Sequence, residues 1–381
     1  MSTGKPDTLG GTLVRKNCAD PCLLYEDGCF YLTMTGYSRV AVIKDKELSK
    51  LKSGIHPTSE NIVYDSADDP SVQELFGDGA LINGTWSPEI HYFSEEEFPE
   101  HSGWYMYLAL KQKCEDSRNI RMVVLKSSSG RPDGPYVNPQ TGKENSTQPF
   151  LNPDGKVINN WCVGPSLLHI PSGRYKGTYL TWIEEEGRGM GYGKFFQKIM
   201  ISKISAPWKL EGKCGLITVP TQEWEFRGSG KTHPIVVEGA TAVYGDGGEI
   251  FLTYSGSGFW SDYGLGQLTL RCENDDYANP LKTESWLKYE GNPIFSSVGT
   301  PDLRGAGHAT FIKDAEGKRF FCYHAYPFEN GKKGKERNAY IEPYSIDYSN
   351  KCPTAPYGVL KMGIQGNGLS ATVSTKIIIS Q

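Results

Sequence analysis

Apolar and polar positions along the 381 residues alternate in short runs that come in pairs, and five pairs share one layout. Asp20-Pro21-Cys22-Leu23-Leu24-Tyr25 leads to Cys29-Phe30-Tyr31-Leu32-Thr33, and Trp86-Ser87-Pro88-Glu89-Ile90-His91-Tyr92 leads to Trp104-Tyr105-Met106-Tyr107-Leu108. Gly164 to Leu168 leads to Tyr179 to Trp182, Glu238 to Val243 to Ile250 to Tyr254, and Gly307 to Ile312 to Phe320 to His324. Each pair has a small or polar start, a short aliphatic strand, a Gly-bearing polar turn and an aromatic-rich strand. Further strand candidates follow at Arg39 to Ile43, Arg121 to Lys126, Ile199 to Ile204 and Gly264 to Arg271. The refrain returns about every seventy residues, which marks a repeat architecture. With three or four strands per unit, the pattern predicts an all-β chain folded as a five-bladed β-propeller. No segment sustains a 3.6-residue apolar period, so helix is minor, with one turn expected within Asp69 to Phe76. Residues 1–381 read as one domain. From about residue 362 onward, and within Leu369 to Ser380, a last strand is expected to close the ring or decorate its edge.

Composition narrows the class. The 44 Gly, 23 Pro and 22 Tyr suit short strands joined by tight turns. A formal net charge of −4 leaves no basic footprint for nucleic acid. No apolar run approaches the roughly 20 residues that span a membrane, and no protein partner is implied. Nine cysteines, an odd number without a C-x-x-C pair, do not make a disulfide framework or a zinc site. Cys22, Cys29 and Cys322 fall in expected strands, as small buried hydrophobes. Met1 to Leu9 is polar and lacks a signal-peptide core, so a cytoplasmic location is expected. The alternative is a secreted protein whose signal peptide is not part of the chain.

In a propeller the innermost strands surround one funnel, so equivalent strand starts converge. Asp20 and Glu238 stand at two such starts. Singly, each reads as a structural cap on a hairpin end; jointly they read as the acid and base of glycoside hydrolysis. That chemistry needs one carboxyl protonated for the leaving oxygen and the other ionised.

The Ala19-Asp20-Pro21 start, Trp86-Ser87-Pro88-Glu89-Ile90-His91, Val237-Glu238-Gly239, Gly305-Ala306-Gly307-His308 and Tyr323-His324-Ala325 together resemble glycoside hydrolase family 43. The strand and turn from Arg121 to Tyr136 fit as well, and the likeness runs over roughly residues 10 to 345. The resemblance implies a single-displacement, inverting mechanism with Asp20 as general base and Glu238 as general acid. It also implies a carboxylate at the start of the third blade that keeps the acid protonated. Trp161-Cys162-Val163-Gly164-Pro165 departs here, because Gly164 stands where the family has Asp.

Other residues take roles by the same likeness. His308 lies near the axis, where relatives hold a calcium ion largely through water; no cofactor is otherwise required, and a satisfied core histidine is the competing reading. Arg337 matches an Arg that reaches sugar hydroxyls and carboxylates, against a surface residue of the basic loop Lys332-Lys333-Gly334-Lys335. Trp86 suits a platform under a sugar ring, Phe259 and Trp260 the rim, and Glu89 and His91 supporting positions around the substrate. Gly187 to Lys194 has the glycine count of a phosphate loop without its helix or its Ser/Thr, and reads as a loop near the funnel. Glu95-Glu96-Glu97 reads as a solvated turn, as does Glu184-Glu185-Glu186, although the latter could approach the pocket. No G-x-S-x-G elbow supports an esterase. The expected activity is exo-acting removal of terminal pentose, chiefly α-L-arabinofuranose, from plant cell-wall oligosaccharides. β-Xylosides, arabinan and β-galactan remain open as substrates. The rival reading is a glycan-binding propeller with little or no turnover, because Gly164 replaces the tuning carboxylate.

Overall fold

The computed structural model describes residues 11–52, 62–114, 119–190, 194–228, 233–273 and 276–363. They form five antiparallel blades around one axis. The second is built from Ile82–Phe93, Gly103–Gln112 and Ile120–Ser127, with Tyr136–Val137 and Gln148–Pro149 outside. The third runs Cys162–Ile170, Gly177–Glu186, Phe196–Ala206 and Lys209–Thr218 in sequence order. The fourth runs Val237–Tyr244, Ile250–Gly256, Gly264–Leu270 and Trp286–Lys288. The first blade is the least regular. Cys22–Glu26 and Cys29–Thr33 form its hairpin, and the segment expected as one strand from Arg39 to Ile43 divides. Arg39–Ala41 turns away to pair with Ile62–Asp65, whereas Ile43–Asp45 pairs with Cys29–Thr33. Ser71–Phe76 forms the expected helical turn.

The fifth blade is made from both ends of the described chain. Leu303–Lys313, Arg319–Glu329 and Asn338–Asp347 are joined by Thr12–Arg15, with Thr12 opposite Ile341 and Leu13 opposite Tyr340. The ring is thus closed by the first strand. Leu369 to Ser380 lies outside the described residues. Val359–Met362 pairs with the far end of Asn338–Asp347, as an added edge strand. Closure gives the last blade a partner where an open sheet would expose hydrogen-bonding groups.

Apolar packing sits between blades. Distinct buried clusters fill the interfaces of blades one and two, two and three, three and four, four and five, and five and one. Cys22, Cys29 and Cys322 are buried, as their strand positions implied.

The refrain has a backbone cause. Each inner strand of blades two to five breaks register at the same place: between Trp86 and Glu89, Val163 and Ser166, Glu238 and Thr241, and Gly307 and Thr310. A residue in the left-handed region sits at each break, with φ of 47° at Ser87, 59° at Gly164, 59° at Gly239 and 52° at His308. Asp20, just before the first blade's inner strand, matches them with φ 50°. A bulge bends its strand and re-aims the side chain there, and these four bulges, with Asp20 in the same backbone conformation, bring the strand starts to one pocket.

Candidate active site

At the axis lies a pocket of about 280 Å³ whose wall includes Asp20, Trp86, Gly164, Glu238, Phe259, Trp260, His308 and Arg337. The strand starts singled out in the sequence therefore meet. Glu89 does not join them. It is buried and is not part of the pocket lining, with its carboxylate 3.0 Å from His91 Nε2.

Asp20 is held as an anion. Thr35 Oγ1 donates to its Oδ2 at 2.6 Å, and Arg337 Nη1 donates to its Oδ1 at 3.1 Å. His324 Nδ1 and His308 Nδ1 stand 3.2 and 3.5 Å from the same oxygen. Burial works to raise the Asp20 pKa, but the charges of Arg337 and then His308 outweigh it and hold the carboxyl well below the usual range. Burial and the Arg337 charge drive the His324 pKa down to about 3, so its ring is neutral. A neutral ring fits the Asp20 backbone N–H, which donates to Nδ1 at 3.0 Å. Arg337 is no surface residue. Its side chain is 19% exposed and its guanidinium lies 4.7 Å from the Phe259 ring centre.

Glu238 is set the other way. Burial raises its pKa, and the charge of Asp20 adds to that; His308 and hydrogen bonds from Tyr263 and Gln197 pull against it. Tyr263 Oη donates to Glu238 Oε1 at 2.8 Å and stacks on His324 with the rings 8° apart. One pocket thus holds a carboxyl that resists protonation and one that resists ionisation.

The third blade supplies what sequence reasoning placed elsewhere. Glu184-Glu185-Glu186 ends the strand Gly177–Glu186, and its members part company. Glu184 accepts from Asn160 and Trp182 Nε1, and Glu186 is exposed beside Lys198. Glu185 turns inward onto the pocket wall with its side chain 7% exposed, bonded to Arg188. Burial raises its pKa to about 7 against the pull of Arg188, and the charge of Glu238 pushes the same way as burial. Gln197, opposite Glu185 on the next strand, also lines the pocket, and its Oε1 is buried without a partner among the described residues. Tyr263 and Gln197 passed unnoticed in the sequence. The signal for Gln197 was a polar residue at an inward position of an apolar-alternating strand.

Glu97, expected in a solvated turn, is instead anchored by Thr178 Oγ1 at 2.7 Å and sits 3.1 Å from His169 Nδ1. It borders an open groove of about 1160 Å³ between blades two and three, a groove whose lining includes none of the axial carboxylates.

The residues around His308 do not compose a calcium cage. Among the described residues no three His, Cys, Asp or Glu side chains are spaced to hold a metal. The imidazole faces a carboxylate already bonded to Arg337, whereas calcium takes six to eight oxygens.

Fold and pocket define a class: a five-bladed β-propeller whose axis carries two carboxyl groups in opposed electrostatic settings. The profile of glycosyl hydrolases family 43 matches residues 12–350, and the chain belongs to that family. It is 27% identical over 303 residues to alpha-L-arabinofuranosidase 43 of Humicola insolens, a match covering 78% of this chain and 52% of that protein. It is also 27% identical over 331 residues to an extracellular exo-alpha-(1->5)-L-arabinofuranosidase of Streptomyces chartreusis, covering 85% and 84%. The chain spans about half the length of several curated relatives it matches. Among solved structures, an alpha-L-arabinofuranosidase from Lactobacillus brevis superposes with a TM-score of 0.66 at 21% identity, over 89% of this chain and 94% of the other, a likeness of fold.

Proposed function

We propose that the chain is an exo-acting, inverting glycoside hydrolase that removes terminal α-L-arabinofuranosyl groups from oligosaccharides. The observation that carries this reading is the divergence of Asp20 and Glu238 within one pocket. Two titratable groups pushed apart by their surroundings take the base and acid roles. Asp20, ionised, accepts a proton from a water as that water attacks the anomeric carbon. The bond from that carbon to the leaving oxygen breaks, and Glu238 gives its proton to that oxygen. Arg337, His308 and Thr35 orient the base, and Tyr263 and Gln197 orient the acid.

The axial pocket of about 280 Å³, small beside the open groove of about 1160 Å³, is in keeping with a terminal sugar and exo action. Trp86, Trp161, Phe259 and Trp260 supply the apolar part of its wall. The pentose preference draws on the names of the relatives.

Arabinose release from 4-nitrophenyl α-L-arabinofuranoside, set against the β-xyloside and β-galactoside, tests the substrate. Proton NMR should show β-arabinose as the first product. No product from any pentoside or galactoside at high enzyme concentration would sink the reading, and first-formed α-arabinose would sink inversion. Glu238→Gln should cost about 10²–10⁴-fold on substrates with poor leaving groups, and unchanged rates would refute its role as acid. Gly164 favours the second reading, a propeller that binds glycan without turning it over; saturable binding without product would select it.

A further inference from the structure

The aromatic rim on the fourth blade's side of the pocket is carried by a loop, and a buried ion pair outside the pocket fastens that loop. We propose that Glu225 is a positioning residue that fixes Phe259 and Trp260 against the bound sugar. The inference rests on the hydrolase reading above for what fills the pocket.

The run Gln222-Glu223-Trp224-Glu225 has the composition of a surface turn, yet Glu225 is fully buried. Lys288 Nζ and Tyr254 Oη donate to its Oε1 at 2.8 and 2.7 Å. The backbone N–H groups of Thr221 and Gln222 donate to its Oε2 at 2.5 and 2.7 Å. Each oxygen thus has two donors and the charge has a partner, which is what a buried carboxylate requires. Tyr254 ends near the top of the strand Ile250–Gly256, and Lys288 closes the strand Trp286–Lys288. The carboxylate therefore ties the short 3-10 helix Glu223–Phe226 to the body of the fourth blade. Capping that helix would need neither the lysine nor the burial.

Carbonyls of the tied segment then hold the rim. Ser257 Oγ donates to the Trp224 carbonyl. The Gly258 N–H donates to the Arg227 carbonyl at 3.1 Å, and the Trp260 indole N–H to the Gly228 carbonyl at 3.0 Å. The Trp224 ring lies so close to Gly256 that a Cβ there would come within 2.6 Å of it. Phe259 and Trp260 meet edge to face with ring centres 4.8 Å apart, and both line the pocket. Glu225 is not part of that lining, so it acts on the sugar only through the turn and the latch. An aromatic wall binds by contact along the sugar, in the ground state and the transition state alike. Loosening it should therefore raise KM and spare kcat.

The test is Glu225→Gln, which keeps shape and removes charge, beside Ser257→Ala, which cuts the latch and leaves the buried pair intact. On 4-nitrophenyl α-L-arabinofuranoside, KM of Glu225→Gln should rise about ten-fold or more, with kcat held within about two-fold. Ser257→Ala should raise KM in the same direction, and it decides the question if Glu225→Gln does not fold. Hydrogen exchange of the Gly258 amide should quicken in both variants while that of Leu252, inside the blade, holds. An unchanged KM in both variants, or a lower Tm with kcat reduced and KM fixed, overturns the proposal and leaves Glu225 a purely structural residue. A wild type that turns over no pentoside would sink the hydrolase reading instead. The exchange of Gly258 then decides by itself: quickened, it upholds the latch, and unchanged, it overturns it.

Discussion

Replacing Glu185 by Gln should stabilise the protein at alkaline pH. The carboxyl ordinarily titrates near 4.5, and in the folded chain it titrates near 7 with its side chain 7% exposed. Because the folded state holds this proton more tightly, the unfolded chain loses it first as pH rises. Stability from this group is therefore full below about 4.5 and is lost progressively as pH climbs through about 7. Each tenfold difference in proton affinity is worth about 1.36 kcal/mol, so the interval corresponds to about 3 kcal/mol at pH 8. The pull of Arg188 is already contained in the value near 7. Glutamine has the shape of the protonated acid and never ionises, so the variant escapes the loss. An unfolding entropy of about 2.1 cal/mol/K per residue gives about 0.8 kcal/mol/K for the chain. The variant Tm should then exceed wild type by about 4 °C at pH 8 and coincide with it at pH 4. Scanning calorimetry of both proteins from pH 4 to 8 measures the two curves. Parallel curves, or a variant less stable at pH 8, would show that Glu185 is not held above its ordinary range.

Further substitutions test the other side of the pocket. Arg337→Met removes a group that holds Asp20 low against burial, so the acid limb of kcat/KM should move to higher pH, with about ten-fold or greater loss near pH 5; a stationary limb would mean that the histidines suffice. Asp20 stabilises the fold above its ordinary titration range, so the same variant should also lose its tolerance of acid, seen as a Tm that begins to fall at higher pH than in wild type. Gly164→Ala and Gly239→Ala share a φ of 59°, and each should cost about 1–2 kcal/mol for a Cβ in the left-handed region. At Gly239 the added Cβ would also lie 3.1 Å from His308 Nδ1, so Gly239→Ala should be the less stable of the two by chemical denaturation and should lose activity; equal stability would show that His308 yields freely.

What was legible in the sequence follows from where each residue sits. Strand starts are visible as breaks in alternation, and Asp20, Trp86, Gly164, Glu238 and His308 were found that way and line one pocket. Second and third strands are read as packing, and the pocket residues they contribute were the ones missed. Glu185 was hidden in a run of three glutamates, which as a composition reads as solvated. Only strand alternation, with Glu184 and Glu186 on one face and Glu185 on the other, separates it from its neighbours. The closing strand Thr12–Arg15 is four residues long, too short for periodicity to announce, and its partner lies at the other end of the chain.

The bulges separate what the fold demands from what the chemistry demands. Every inner strand needs a left-handed residue where it reaches the axis, and that demand is met by Asp20, Ser87, Gly164, Gly239 and His308 alike. Asp20 and His308 bear the cost of a side chain there because hydrogen bonds hold their backbone: Asp20 N–H donates to His324 Nδ1 at 3.0 Å, and His308 N–H donates to Ser255 Oγ at 2.7 Å. Gly239 has no such latitude, since a Cβ would press on His308. Gly164 meets the backbone demand at no steric cost and faces open space, so the fold does not require glycine at this position. Asp is among the residues that tolerate the left-handed region, and Asp20 shows it doing so in this same setting. The blank on the third blade is therefore a matter of chemistry alone. The neighbouring strand nonetheless brings the Glu185 carboxyl onto the same pocket wall.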